Sequence, residues 1–512
     1  MRRLALVLAA VTACASIAIV AAQRGPETAW FGLPLPAGLG DPHKPVVNVS
    51  SVTPPAPIVP TGEGPDPEFA GAAIRRDLES IIGFSKESRT AGNRVWGRVT
   101  GFPSAAAVAE WTAEQFTRAG LSYVEVQKYN GTGGMWWSNS WEVRLLPDQS
   151  FGAGSQPVVL ESAIPTSGSQ ITGGTTTAPL VFIGATDGPI PPNIDAKGKV
   201  AVQHLKPESG AYSERARTST RAREMMARGA VAVLNVVEQT GNMHVRDFGN
   251  CGIPCFNLGA ADGAFLEAAM EKAAQAGKSA DLRIQLTLQS ESLTGLTGQN
   301  VIGMVPGSTG PSGENIIVNA HLDGWFDAAG DNGDGLAVVI ALAKHFAKPG
   351  RLVDRNLVFV ASGGHHSTGL NGPSNLVLMN PELTRKTVLV VNLEHIAQLY
   401  IRPSPWRVEP TEQPMGFGIS NQSPFLISLG KRAMDRYGYR LNATFGSGVP
   451  GDLGGYEPLG VARVQAIHSG PMYHVSGDVL ETISVPGLER AARFFAYFVS
   501  EAAKAPRNQI NP

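Results

Sequence analysis

VNAHLDGWFDAAGDNGDGLAVVIALAKHF, residues 318–346, is the stretch on which the reading of this chain turns. Its first residues end an apolar run, "NIIVNA", suited to a buried strand. A loop rich in glycine and aspartate follows and opens into a helix, "GDGLAVVIALAKHFAK". Outward from this unit the same rhythm recurs. "NVIGMVPG", "NLVFVASGG", "TVLVVNLEH" and "VARVQAIHS" are further runs suited to strands buried on both faces, with helical segments between them. The pattern predicts an α/β protein, a three-layer α/β/α sandwich around a mixed, largely parallel sheet.

In such sheets ligands gather at the carboxyl ends of the strands. Those ends carry His321 and Asp323, then Asp331 in the next loop, His365 and His366, Glu394 and His395, and His474 after "HSGPMY". Five of the chain's ten histidines thus fall just past predicted strands and among carboxylates, which favours a metal site over five unrelated structural histidines. Imidazole and carboxylate are zinc ligands, and two ions can share one bridging carboxylate.

Elsewhere, "DPEFAGAAIRRDLESIIGFS" spaces Ile74, Leu78, Ile81 and Ile82 on one helical face, and "PSAAAVAEWTAEQFTRAG" reads as a second helix ending at Gly120. A strand, "SYVEVQKY", follows. Residues 151–295 read as a separate β-rich unit with two helices. Trp136, Trp137 and Trp141 near its start suit core packing better than an exposed aromatic patch. Residues 23–65 are a Pro- and Gly-rich lead-in. Residues 1–22 have a basic start, an apolar run and a small-residue end, the layout of a secretory signal. A membrane anchor or lipidation at Cys14 are the alternatives, and the expectation is an exported, periplasmic or secreted protein with no stable membrane span after signal removal. Beyond the leader only Cys251 and Cys255 remain, in "CGIPC", and an exported chain favours a disulfide between them over a metal pair. The 512 residues, 43% hydrophobic and 17% charged with a net charge of −1, suit a folded protein and give no electrostatic ground for nucleic-acid binding.

The 318–346 segment resembles the signature of the co-catalytic zinc exopeptidases of clan MH, the bacterial leucyl aminopeptidases and glutamate carboxypeptidase II. "NLVFVASGGHHSTGLNG", "VNLEHI" and "MYHVSGD" fall in the order of the remaining ligand segments. The resemblance covers residues 66–150 and 296–505. It implies that His321, Asp331 and Glu394 hold one zinc, and that Asp331, His366 and His474 hold the other, so that one or two ions are expected. It further implies that Asp323 orients His321 and that Asp478 serves His474 in the same way, a capping role for Asp478 being equally open. Residues 151–295 resemble a protease-associated domain, which in this family covers or shapes the substrate cleft.

One departure stands out. Where the family has Glu-Glu, a general base followed by a metal ligand, this chain has His365-His366. His365 takes the base position, with Asp452 and Glu457 of "GVPGDLGGYEPLG" as rivals, and each of the three has a plain loop-residue reading beside it. The resemblance therefore implies an aminopeptidase-type exopeptidase that hydrolyses a peptide or small amide with metal-bound hydroxide. The competing expectations are a catalytically impaired relative and a single-metal glutaminyl cyclase-like enzyme.

Overall fold

The structure is a computed structural model. It describes residues 29–35, 42 and 53–512, except 153, 207–210, 240, 247–250, 311–312, 404–405, 413–414, 440, 446–450, 468–469 and 471. The leader expected at 1–22, Cys14 included, lies outside the described residues, as does part of the lead-in.

Eight strands form the sheet that carries the 318–346 segment. Their spatial order is Leu441–Phe445, Met415–Ile419, Ala462–Ile467, Thr387–Glu394, Asn315–His321, Asn356–Ser362, Thr297–Val305, Tyr123–Asn130. The four central strands, from Ala462–Ile467 to Asn356–Ser362, run parallel. Antiparallel pairings appear towards the edges, at Thr297–Val305 and at Met415–Ile419, so the sheet is mixed.

Alternation within the central strand builds the layers. Ile316, Val318 and Ala320 join one large core with residues of the helices Gly71–Thr90, Pro103–Ala119, Asp334–Phe346 and Val485–Lys504. Ile317 points the other way, into a smaller core with Leu376, Leu453 and Tyr456. Such alternation is the period-two signature of a strand buried on both faces. The face read from "DPEFAGAAIRRDLESIIGFS" is the one that packs: Ile74, Leu78, Ile81 and Ile82 are all buried. Gly120 ends the second helix with φ +85°, a left-handed cap that glycine adopts without a side-chain clash.

A second eight-stranded sheet takes up most of residues 135–293. The strand Met135–Leu146, on the near side of the boundary expected at residue 150, pairs along its whole length with Arg283–Leu293 inside that sheet. The unit therefore starts about a strand earlier than the composition shift suggests, because composition changes at the loop whereas pairing recruits the strand before it. Trp141 is buried in its core with the Arg94 guanidinium 4.0 Å from its ring centre, while Trp136 and Trp137 are half-buried. Cys251 and Cys255 are joined as a disulfide, with Cα atoms 6.0 Å apart. Among the described residues no helix is long and apolar enough to cross a membrane.

The two sheets meet at the strand-end edge. Val245 bridges Val475, the Arg246 amide donates to the His474 carbonyl at 2.9 Å, and the Ser476 amide donates to the His244 carbonyl at 3.0 Å. The second unit thus braces the loop that carries His474.

Candidate metal centre

Parallel register brings the strand ends to one edge. His321 pairs with Ser362, and Glu394 with Ile467, so the loops that follow open on the same side. Asp331 lies at the centre. His321 Nε2 and His366 Nε2 each stand 3.3 Å from its Oδ1, and His474 Nε2 stands 3.0 Å from its Oδ2. Glu394 Oε1 is 4.0 Å from His321 Nε2. All five residues singled out as ligands therefore converge. His395, noted in the sequence but given no role there, also turns inward, with Nε2 3.0 Å from Asp331 Oδ1.

The donor chemistry fits a metal. His321 Nε2, His366 Nε2, His395 Nε2 and both Asp331 oxygens are buried without a hydrogen-bond partner, a costly arrangement unless something else satisfies them. Donors about 2.0–2.2 Å from a tetrahedral ion stand about 3.3–3.6 Å from one another, close to the spacing around Asp331. Strain clusters here too: Phe326, Ala328, His395 and His474 all adopt positive φ, which is expensive for residues with side chains and is typical of functional sites.

The supports differ in detail from the expectation. The Asp323 carboxylate does not make the close contact with His321. Its Oδ1 is 3.6 Å from His321 Nδ1, whereas the Asp323 main-chain carbonyl is at 3.0 Å. The carboxylate instead accepts from the His365 and His366 amides at 3.3 and 3.1 Å, fixing the His-His loop. Asp478 does not serve His474. Its two oxygens accept from the amides of Gly330 and Asp331 at 2.8 and 3.0 Å, so it holds the backbone of the bridging position. Both departures have one cause: the converging loops bring backbone amides of another segment within reach of each carboxylate, 42–43 residues away for Asp323 and 147–148 for Asp478.

Asp452 is no rival of His365 but its partner, with Oδ1 2.6 Å from His365 Nδ1. Its other oxygen accepts from Ser362 Oγ at 3.0 Å. His365 Nε2 faces the centre, 3.7 Å from Glu394 Oε1. Burial opposes charge on His365, but Asp452 prevails and lifts it to about 9, whereas burial takes His366 down to about 4. Glu457 is exposed and, among the described residues, pairs with Arg463 at 3.5 Å. Gly364 makes the His-His turn possible: its φ is +79°, and a Cβ there would lie 1.7 Å from the Leu370 carbonyl oxygen.

Arg98 escaped the sequence reading. Its buried guanidinium donates to the carbonyls of Leu322, Asp327 and Ala328 and to Ser85 Oγ, clamping the loop between His321 and Asp331. An isolated arginine in "GNRVWGRVT" has no spacing that could have announced this. A polar cavity of about 240 Å³ adjoins the centre, lined by His365, His366, His474, Tyr473, Trp325 and Arg246 among others. The Arg246 guanidinium stands 3.8 Å from the Trp325 ring centre.

Residues 300–499 match the model described as peptidase family M28, so this stretch is a peptidase family M28 domain. Solved structures share the fold across most of the chain. A zinc aminopeptidase from Bacillus subtilis, BSAP, aligns with TM-score 0.58 at 21% identity, covering 86% of this chain and 98% of that one. A peptidase M28 precursor from Shewanella amazonensis SB2B aligns with TM-score 0.60 at 18% identity, covering 86% and 97%. An aminopeptidase from Aneurinibacillus sp. strain AM-1 gives 0.51 at 19%, covering 85% and 95%. No curated protein matches the chain.

Proposed function

We propose that this protein is an exported, zinc-dependent exopeptidase of aminopeptidase type. The observation that carries the proposal is the convergence of His321, Asp331, His366, Glu394 and His474 beside a small polar cavity, with the imidazole nitrogens of His321 and His366 and both Asp331 oxygens left without hydrogen bonds. His321, Asp331 and Glu394 would hold one zinc, and Asp331, His366 and His474 the other. When bound, zinc supplies a Lewis acid that makes water nucleophilic near neutral pH and stabilises negative charge on the reacting carbonyl.

The chain's own residues supply the rest. Asp452 fixes His365 with Nδ1 as donor and leaves Nε2 facing the centre; Asp452 alone favours the charged imidazole, and the positive charge of bound zinc would oppose it, freeing Nε2 to take a proton from water. The unit read as a protease-associated domain over 151–295 closes one wall of the cavity through Arg246 and braces His474. The disulfide between Cys251 and Cys255 supports an oxidising compartment.

A second reading is a catalytically impaired relative that binds metal or peptide without turnover. The absence of a carboxylate at position 365 motivates it. Turnover of amino-acid p-nitroanilides by zinc-loaded protein decides between them. Hydrolysis supports the peptidase. No hydrolysis of any peptide in a broad panel, with activity appearing when His365 and His366 are both replaced by Glu, establishes the impaired relative.

A further inference from the structure

We propose that His395 is a fourth protein donor to the zinc held by His321, Asp331 and Glu394, which closes that ion to solvent and leaves the open position on the ion held by Asp331, His366 and His474. The inference rests on the two-zinc reading above and goes beyond it in assigning unequal tasks to the two positions.

The geometry of His395 repeats that of His321. Both imidazoles aim Nε2 at the same pair of oxygens: His321 at 3.3 Å from Asp331 Oδ1 and 4.0 Å from Glu394 Oε1, His395 at 3.0 and 3.9 Å. Four of the six separations among these two nitrogens and two oxygens thus lie between 3.0 and 4.0 Å, near the spacing of donors around a tetrahedral ion. His395 is buried, and its Nε2 has no hydrogen-bond partner. Its Nε2 stands at ion-pair distance from Asp331, 3.0 Å, yet outside hydrogen-bond geometry, the placement of a donor turned with Asp331 towards a shared ion.

The backbone is arranged to hold it there. His395 adopts φ +51°, a conformation costly for a residue with a side chain, and its amide donates to Asn332 Oδ1 at 3.2 Å, tying it to the residue after Asp331. Glu394 is equally fixed. Its Oε2 accepts from Asn392 Nδ2 at 3.1 Å and Gln465 Nε2 at 2.9 Å, so only Oε1 is turned to the imidazoles.

The other position differs. His366 Nε2 and His474 Nε2 flank the two oxygens of Asp331, and no second carboxylate joins them within the same reach among the described residues. Three protein donors leave one position of a tetrahedral ion free, the arrangement of catalytic rather than structural zinc. This open side faces the cavity, because His366 and His474 line it whereas His321 and His395 do not.

The test uses the full chain labelled with [15N]histidine and loaded with 113Cd as a probe for zinc. Two cadmium resonances are expected, each coupled to two imidazole nitrogens. Replacing His395 with Ala, and separately with Asn, should reduce one resonance to a single coupling, leave the other intact, and weaken zinc at that position by more than the 10–100-fold typical of losing an outer partner. A wild-type resonance coupled to one imidazole overturns the inference while leaving the two-metal reading in place. So does a fourth coupling that vanishes in His365→Ala rather than in His395→Ala. Protein that takes up neither cadmium nor zinc overturns both. The wild-type spectrum decides the matter even if the variants fail to fold.

Discussion

Replacing Asp478 with Ala isolates the support beneath the bridging residue. Asp478 is buried at 2% exposure, and its two oxygens are the acceptors for the amides of Gly330 and Asp331. Gln398 Nε2 also donates to it, at 3.2 Å. The truncation strands two buried backbone donors, each costing about 1–3 kcal/mol, so the apo-protein should lose about 2–6 kcal/mol. Water entering the vacated space would bring the loss towards the lower figure. Even about 2 kcal/mol should lower the thermal midpoint of a domain of roughly 300 residues by about 3 °C. The same change frees the Asp331 backbone, and loss of an orienting partner typically costs 10–100-fold in metal affinity. Scanning calorimetry of metal-free protein and zinc titration against a competing chelator measure the two effects. Wild-type stability together with wild-type zinc affinity in Asp478→Ala would refute the claim that this carboxylate positions Asp331.

Under the peptidase reading, His365→Ala should lower kcat by about 100-fold or more with bound zinc unchanged, whereas His366→Ala should lose metal; metal analysis beside initial rates separates them. Asp452→Asn keeps the shape but removes the charge that His365 Nδ1 faces at 2.6 Å. The lost charge-assisted hydrogen bond, about 1.5–3 kcal/mol, corresponds to a drop of about 10–150-fold in kcat with KM nearly constant. Far from the centre, the hydrogen bond that His204 donates to Glu267, helped by Glu238, raises the half-buried His204 above its ordinary value. Its folded-state pKa exceeds the unfolded one, so its stabilisation is complete below about pH 6 and fades as pH rises through the folded value. His204→Gln should therefore destabilise by at most about 1 kcal/mol in acid and by almost nothing in alkali, as read from paired denaturation curves. Thiol titration of the denatured, unreduced, leader-free chain should find no free cysteine, and two free thiols would remove the Cys251–Cys255 bridge.

The layers and the convergence of the candidate residues were legible because they depend on patterns that survive in one dimension. Apolar runs such as "NIIVNA" and "TVLVVNLE" mark strands buried on both faces, and the first polar residue after each marks the edge where ligands gather. What escaped depends on distances between segments or on which atom of a residue is used. Asp323 was placed beside His321 correctly, but spacing cannot tell a carbonyl contact from a carboxylate contact. Asp478 follows His474 by four residues, yet spends its oxygens on amides nearly 150 positions earlier. The strand Met135–Leu146 belongs to a sheet whose neighbouring strand comes at Arg283–Leu293, a pairing no local pattern encodes. His395 stood in plain view in "VNLEHI", but only the positive φ turns its ring inward.

The same consideration bears on the missing glutamate. In sequence the loop "SGGHHSTGL" holds no carboxylate, which reads as a lost base. In space the carboxylate is one hydrogen bond away, supplied by Asp452 from a segment 87 residues later. That side chain is buried and held by Ser362 and by Asn319 Nδ2 at 3.4 Å, so its charge has been carried inside at a cost. Gly451, with φ +78°, lets the turn approach Glu394, where a Cβ would lie 2.4 Å from Oε2. A chain whose centre had merely decayed would have no need to bury an aspartate, brace it twice and aim it at the one imidazole that replaces the base. The Asp452–His365 pair supports proton transfer by imidazole at this position, and the kcat of Asp452→Asn is the measurement that carries or sinks that argument.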